Sequence, residues 1–145
     1  ELYKGGIEPQ RREDLSAALK GKSNISNHLR EIILNAKKEV IICTSAEEAK
    51  MKSKLFLQTF DILKKANIKT SVALSGDEKL IAQLSETFGV KIKSVELNAK
   101  FFIIDRKEIL FYLSNEKDEE DIAIWLNSDF FTQAFANMFD KVLKA

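Results

Sequence analysis

The sequence holds one cysteine, one histidine and one proline in 145 residues. A single cysteine excludes a disulfide framework within the chain and any zinc site built from cysteines. Cys43, inside Val40-Ile41-Ile42-Cys43-Thr44, reads as a small buried apolar residue. A single histidine leaves His28 to serve every Ser-His-Asp or Cys-His arrangement, and no nucleophile elbow surrounds it. Only carboxylates then remain as metal ligands. Glu116, Asp118, Glu119, Glu120 and Asp121 cluster, but without the spaced ligands and turn glycine of a calcium loop. They read as a solvated turn, so no metal or cofactor is expected. A glycine-rich phosphate loop is missing too. Charge of one sign is also lacking: Lys+Arg is 23, Asp+Glu is 22, and the net charge is +1. No basic excess marks this piece as a nucleic-acid binder. No apolar run approaches the roughly 20 residues needed to span a bilayer, and no signal-peptide pattern is present. No membrane partner is expected, and the expected compartment is the cytoplasm. Repeats and low-complexity segments are absent.

What is present suffices for one domain with a real core, since 45% of the residues are hydrophobic. Gly5-Gly6 closes a polar lead-in. Pro9 suits the first turn of a short helix whose thin apolar face is Leu15, Ala18 and Leu19, ended by Gly21. Residues 1–22 are therefore expected to be the end of a linker and a docking arm, and residues 23–145 the folded domain. The first residue is Glu rather than Met, which fits a fragment or processed product.

Ser23–Lys38 has the period of an amphipathic helix, capped by Ser23 or Asn24, with Ile25, Leu29, Ile32, Ile33 and Ala36 on one face. Glu39–Thr44 is β-branched and nearly all apolar, as in a strand covered on both faces. A turn at Ser45–Ala49 leads to a helix over Lys50–Ala66 with Leu55, Thr59, Ile62, Leu63 and Ala66 inward. Ile68–Leu74 is a second strand. Ser75-Gly76-Asp77-Glu78 has the form of a capping box before a helix ended by Gly89. Val90–Val95, Phe101–Ile104, Glu108–Leu113 and Asp121–Leu126 follow as strands. Ser128 caps a last helix, with Phe131, Ala134, Phe135, Met138, Phe139, Val142 and Leu143 on its core side. The alternation implies an α/β fold: a mixed, largely parallel sheet with helices on both faces. The later strands are joined by turns too short for a crossover and should be antiparallel.

Asn98, Lys100 and Asp105 have the spacing N-x-K-x-x-x-x-D. This resembles the H-x-K-x-x-x-x-D signature of the phospholipase D superfamily. That motif continues with an Asn in the form G-S-x-N, matched here by Tyr112-Leu113-Ser114-Asn115. Lys100, Asp105 and Asn115 agree; Asn98 replaces the His, Tyr112 the Gly and Leu113 the Ser. In the superfamily the His takes the phosphoryl group, and a carboxamide lacks the nucleophilic nitrogen for that step. Active members also need two copies of the motif, and this chain has one. The resemblance therefore implies a phospholipase D-like fold without phosphodiesterase activity. Lys100 shares a strand face with Asn98 and has two readings, anion ligand or structural ion-pair partner. Asp105 has the opposite parity and reads as the residue holding the turn between two strands.

The stretch from Lys20 to Ile42, Ala99-Lys100-Phe101-Phe102-Ile103-Ile104-Asp105, and Ile122 to Phe135 together resemble the C-terminal effector domain of TrmB-type archaeal transcriptional regulators. The resemblance runs from about Leu15 to the C-terminus. It implies a homodimer, an effector-sensing role, and DNA binding through a winged-helix domain that precedes this piece. It does not imply a sugar. A small-molecule effector should enter outside the carboxyl ends of the parallel strands. The candidate ligand residues are Thr44, Ser45 and Ser75 at those ends, with Asn98, Lys100 and Asn115 from the altered motif. For Thr44, Ser45 and Ser75, each taken alone, turn and cap chemistry is the preferred reading. Trp125 reads as core or dimer interface. Two other readings stay open: an oligomerisation scaffold without a ligand, and a residual phosphodiesterase or nuclease.

Overall fold

Four consecutive apolar residues, Phe101 to Ile104, are satisfied only in a strand with both neighbours and both faces occupied. The computed structural model of the chain, which describes residues 15–114 and 118–144, places this strand at the centre of its sheet. The elements are β1 Ser16–Lys20, α1 Lys22–Leu34, β2 Glu39–Ser45, α2 Ala46–Met51, α3 Ser53–Lys65 and β3 Lys69–Ser75. They continue with α4 Glu78–Phe88, β4 Ile92–Ser94, β5 Phe101–Ile104, β6 Glu108–Tyr112, β7 Ile122–Asn127 and α5 Asp129–Lys144. The seven strands form one sheet in the order β1-β7-β6-β5-β2-β3-β4.

The mixed α/β architecture is as expected, but the balance of strand directions is not. Only β2–β3 and β3–β4 are parallel; the other four pairings are antiparallel. The physical reason lies at β5. It returns beside β2 in the reverse direction, and every later strand follows through a short connection that permits only antiparallel pairing.

The period-2 alternation of β5 divides the core in two. Phe102 and Ile104 join Val40, Ile42, Val72 and Leu74 under helices α1 to α4. Phe101 and Ile103 join Ile41, Cys43 and Ala73 under α5 alone. Phe101 anchors the second layer, stacking on Phe111 at 5.7 Å and meeting Phe135 and Phe139 edge-on at 5.1 and 5.0 Å. Cys43 is fully buried there. Burial pushes its thiol up to about 12, so it packs as a small hydrophobe, as its setting in the sequence suggests.

Several local expectations give way to tertiary contacts. Leu15, Ala18 and Leu19 do not form a helical face: Ser16–Lys20 is an edge strand antiparallel to β7. The open edge of β7 offers backbone partners that outweigh the helix preference of Ala17 and Ala18. The expected helix start at Pro9 lies outside the described residues. The N-cap of helix α1 is Gly21, which has no side chain to accept a backbone N–H, and neither Ser23 nor Asn24 takes that place; Asn24 donates its amide to the Lys20 carbonyl. Ser45–Ala49 is a helix start, not a turn: Ser45 Oγ accepts from Glu48 N at 3.0 Å. The inward face of α3 is Phe56, Phe60 and Leu63, whereas Leu55 and Ile62 stay about two-fifths exposed. Asp77, not Ser75, caps α4. On α5, Ala136 and Phe139 are buried while Phe131, Met138 and Val142 face outward.

The turn between β5 and β6 ties three regions together. Asp105 and Arg106 both hold left-handed backbone, φ 56° and 55°, a conformation Asp tolerates better than Arg. The Asp105 carboxylate accepts the N–H groups of Lys37 (3.0 Å), Lys38 (2.8 Å) and Glu39 (2.9 Å). Asp105 thus fastens the α1–β2 connection as well as its own turn. Arg106 donates to Glu39 at 2.9 Å and to Asn137 at 3.0 Å, and pairs with Asp140 at 3.0 Å, which docks α5.

Burial raises the Asp105 pKa, but the three backbone donors and the Lys107 charge outweigh it and hold the carboxyl below its ordinary range. Its folded pKa is therefore below the unfolded value of about 3.9, so its stabilisation is complete above that pH and fades as pH falls through the folded pKa. Asp105→Ala is expected to cost about 2 kcal/mol at pH 7. In urea melts, the gap between the parent chain and Asp105→Ala should narrow as the pH is lowered toward 3 (about one unit under the free carboxyl).

Candidate functional site

The carboxyl end of β2 carries Thr44, one residue beyond the Cys43–Phe101 pair, so Thr44 and Lys100 lie across from one another. Lys100 in turn faces Tyr112, whose N–H donates to the Lys100 carbonyl at 3.0 Å. Thr44, Lys100 and Tyr112 therefore follow one another across three strands on the face covered by α1 to α4. Thr44 is fully buried there. The Lys100 ammonium lies 4.2 Å from the centroid of the Tyr112 ring, a cation–π contact.

Helix α2 brings in the group that organises this end of the sheet. Capping by Ser45 starts the helix, and the buried Glu48 side chain then points back over β5. One Glu48 oxygen, Oε2, takes both the Lys100 ammonium at 2.5 Å and the Lys52 ammonium at 2.7 Å. Burial alone raises the Glu48 pKa; the two lysines reverse it, and the carboxyl stays ionised below its ordinary range. Burial pulls the Lys100 ammonium below its ordinary value, against the bond to Glu48. Burial, with the charges of Asp121 and Glu48, pushes the Tyr112 phenol well above its usual range, so it stays a neutral donor.

From this charged end a groove of about 360 Å³ runs between α1 and α3. Leu29, Ile33 and Leu34 wall it on one side, and Leu55, Phe56 and Ile62 on the other. Lys100, Phe102 and Tyr112 form its floor.

The expected ligand residues are thus only partly gathered. Thr44 and Lys100 share a face at the end of β2. Asn98 is exposed and is not among the residues lining the groove. Ser45 and Ser75 pair across β2 and β3 with the parity of the α5 layer. Ser45 is occupied as the cap of α2. Asn115 lies outside the described residues. Lys100 holds an ion pair with Glu48 and also lines the groove. His28 packs edge-on against Trp125 at 5.2 Å, and Trp125 donates to Glu108 at 2.8 Å.

Sequence reasoning missed Glu48 and Lys52. A signal was present: Ser45-Ala46-Glu47-Glu48 has the S-x-x-E form, and Glu48 and Lys52 have helical i, i+4 spacing. Among the described residues, no group of three or more His, Cys, Asp or Glu side chains is placed to hold a metal ion. None of their helices is long and apolar enough to cross a membrane.

A mixed sheet with β5 antiparallel to β2 at its centre, and a lysine entering β5 at the carboxyl end of β2, define a phospholipase D-like α/β domain. Two solved structures share that fold. Nuc from Salmonella typhimurium, a phospholipase D family member, superposes with TM-score 0.63 at 12% identity, covering 88% of this chain and 93% of that one. NucT from Helicobacter pylori gives TM-score 0.63 at 13% identity, covering 89% and 95%. Within that class the chain belongs to the TrmB transcriptional regulator family: the profile of the TrmB EBD N-terminal subdomain matches residues 17–144. TrmBL2, described as an archaeal chromatin protein with a novel mode of DNA binding, superposes with TM-score 0.66 at 14% identity. The alignment covers 97% of this chain, which spans 55% of the TrmBL2 chain. No curated protein matches the sequence. At these identities the structural likenesses show the fold alone.

Removing the two ends of the Glu48–Lys100 pair should have unequal effects. Glu48→Ala strands a largely buried ammonium and is expected to cost about 2–3 kcal/mol in chemical denaturation. Lys100→Met keeps the stem on Tyr112 and Phe102 and leaves Glu48 paired with Lys52, and should cost within about 1 kcal/mol.

Proposed function

We propose that this domain is the regulatory part of a DNA-binding transcriptional regulator, sensing a small-molecule effector and holding a homodimer, without phosphodiester hydrolysis. Residues 1–22 act as the end of a linker and a docking arm, whose Ser16–Lys20 segment joins the sheet as β1, and residues 23–145 as the effector domain. DNA is contacted by a winged-helix domain ahead of this piece, in the cytoplasm. The family match over residues 17–144 supports the regulatory role.

One observation carries the reading against an enzyme. The nucleophile position of the motif holds Asn98, and the lysine that would meet a phosphate is in an ion pair with Glu48. The acceptor that the motif supplies is a histidine nitrogen, and the one histidine of the chain, His28, lies on α1 with its ring against Trp125 of β7. Hydrolysis of bis(p-nitrophenyl) phosphate and of single- or double-stranded DNA should stay at the buffer rate. Turnover that disappears in Lys100→Ala would sink this part of the proposal.

The outward side of α5 supports the dimer. Phe130 is 89% exposed and Met138 64% exposed, beside half-exposed Phe131. Exposed aromatic and methionine side chains on one helix suit an association surface. Phe130→Asp with Met138→Asp should weaken self-association at least tenfold, on the order of 1.4 kcal/mol, in sedimentation equilibrium. An unchanged dimer would move the interface elsewhere.

A further inference from the structure

The groove between α1 and α3 has two chemically different parts that meet at Lys100. Its walls are mostly apolar, with Ser26, Gln58 and Thr59 among them, and the fold leaves several of the apolar residues partly uncovered. Leu34 is 57% exposed, Leu55 42% and Ile62 41%, and all three line the groove. Covering them removes apolar surface from water, which favours an apolar occupant.

The inner end has the opposite character. Lys100 and Lys52 share a single carboxylate oxygen of Glu48, so two positive charges meet one negative charge. Lys100 has only a fifth of its side chain exposed, so solvent screens this surplus weakly. The proximity of Lys52 also disfavours the Lys100 ammonium, a repulsion that a second anion would relieve. Arg30 adds a third cation to the lining, and no carboxylate lines the groove among the described residues. Tyr112 adds a neutral phenol beside the cations.

Mostly apolar walls that end at a surplus of positive charge fit an amphiphile with an anionic head. A sugar would leave the walls uncovered by matching apolar surface. A polyphosphate would bring more charge than the surplus and no apolar tail. We infer that the α1–α3 groove binds a monomeric aliphatic carboxylate, its chain against Leu34, Leu55 and Ile62 and its carboxylate on Lys100 and Lys52. A medium chain of about ten carbons falls within the size range of small-molecule pockets. This ligand class rests on the effector-sensing reading above and names its effector chemistry.

The test is calorimetric titration of the chain with sodium octanoate, decanoate and dodecanoate, with decanol, acetate and inorganic phosphate as controls. Saturable submillimolar binding of decanoate is expected, tightening about fourfold per methylene. Decanol should bind at least tenfold more weakly, and acetate and phosphate should not bind measurably. Lys100→Met and Lys52→Met each leave Glu48 one lysine partner and so keep the fold, which thermal melting checks. Each should weaken decanoate at least tenfold while leaving decanol unchanged. Ile62→Asp, on the exposed wall, should abolish both. The inference fails if decanoate shows no saturation up to about 10 mM, a level at which no specific pocket is indicated. It also fails if decanol or acetate binds as tightly as decanoate, or if none of the three substitutions alters decanoate binding. A panel of sugars and nucleotides in the same assay separates this inference from the broader reading. A panel hit with decanoate inert overturns only the ligand class, whereas silence from every compound overturns effector sensing as well.

Discussion

Burial of β5 on both faces is the constraint on which the rest of the domain depends. Phe101, Phe102, Ile103 and Ile104 are each at most 3% exposed, so no polar group can be placed within the strand. Polar chemistry is displaced to its two ends, Lys100 before it and Asp105 after it. Each end then requires a partner, because a charge beside a closed apolar core is costly when unpaired. Glu48 meets the first, and the N–H groups of Lys37, Lys38 and Glu39 meet the second. The two ties fix α2 at one end of the sheet and the α1–β2 connection at the other. The placement of α1 and α3, and hence the groove between them, follows from these attachments.

The ends of β5 differ in what they offer chemically. At Asp105 every carboxylate contact is to backbone of the same connection, and Arg106 carries the tie on to α5. That end is consumed in holding the fold. At Lys100 the ion pair is unbalanced, with two ammonium groups on one oxygen, and it opens onto an apolar channel. Lys100, which lines the groove, is thus also one half of a partly buried charge pair.

Much of this architecture was legible in local sequence. The apolar runs at Val40–Thr44 and Phe101–Ile104 named the central strands, and Gly89 marked the end of α4 through its left-handed conformation, φ 65°. Lys100 and Asp105 stood out through their spacing. Errors clustered where a local rule had two solutions. Leu15, Ala18 and Leu19 fit a helical face or an edge strand, and the free edge of β7 selected the strand. On α3, Leu55 and Ile62 satisfy the same helical period as Phe56 and Phe60, and the larger aromatic rings took the core. Glu48 escaped notice because a glutamate near a helix start is ordinarily explained by capping and dipole alone.

The sequence by itself determined the α/β class, the double burial of β5, the lack of a histidine at the motif and the charged residues flanking that strand. These are properties of adjacent residues, and period, propensity and spacing record them directly. Only the tertiary structure decided the predominance of antiparallel pairing, the choice of β1 as an edge strand, the union of Glu48 with Lys100 and the groove that opens from it. Glu48 and Lys100 are 52 residues apart, and Asp105 and Lys37 68 apart. Partners at such distances are chosen by which surfaces the packed sheet brings together, and no local pattern along the chain encodes that choice.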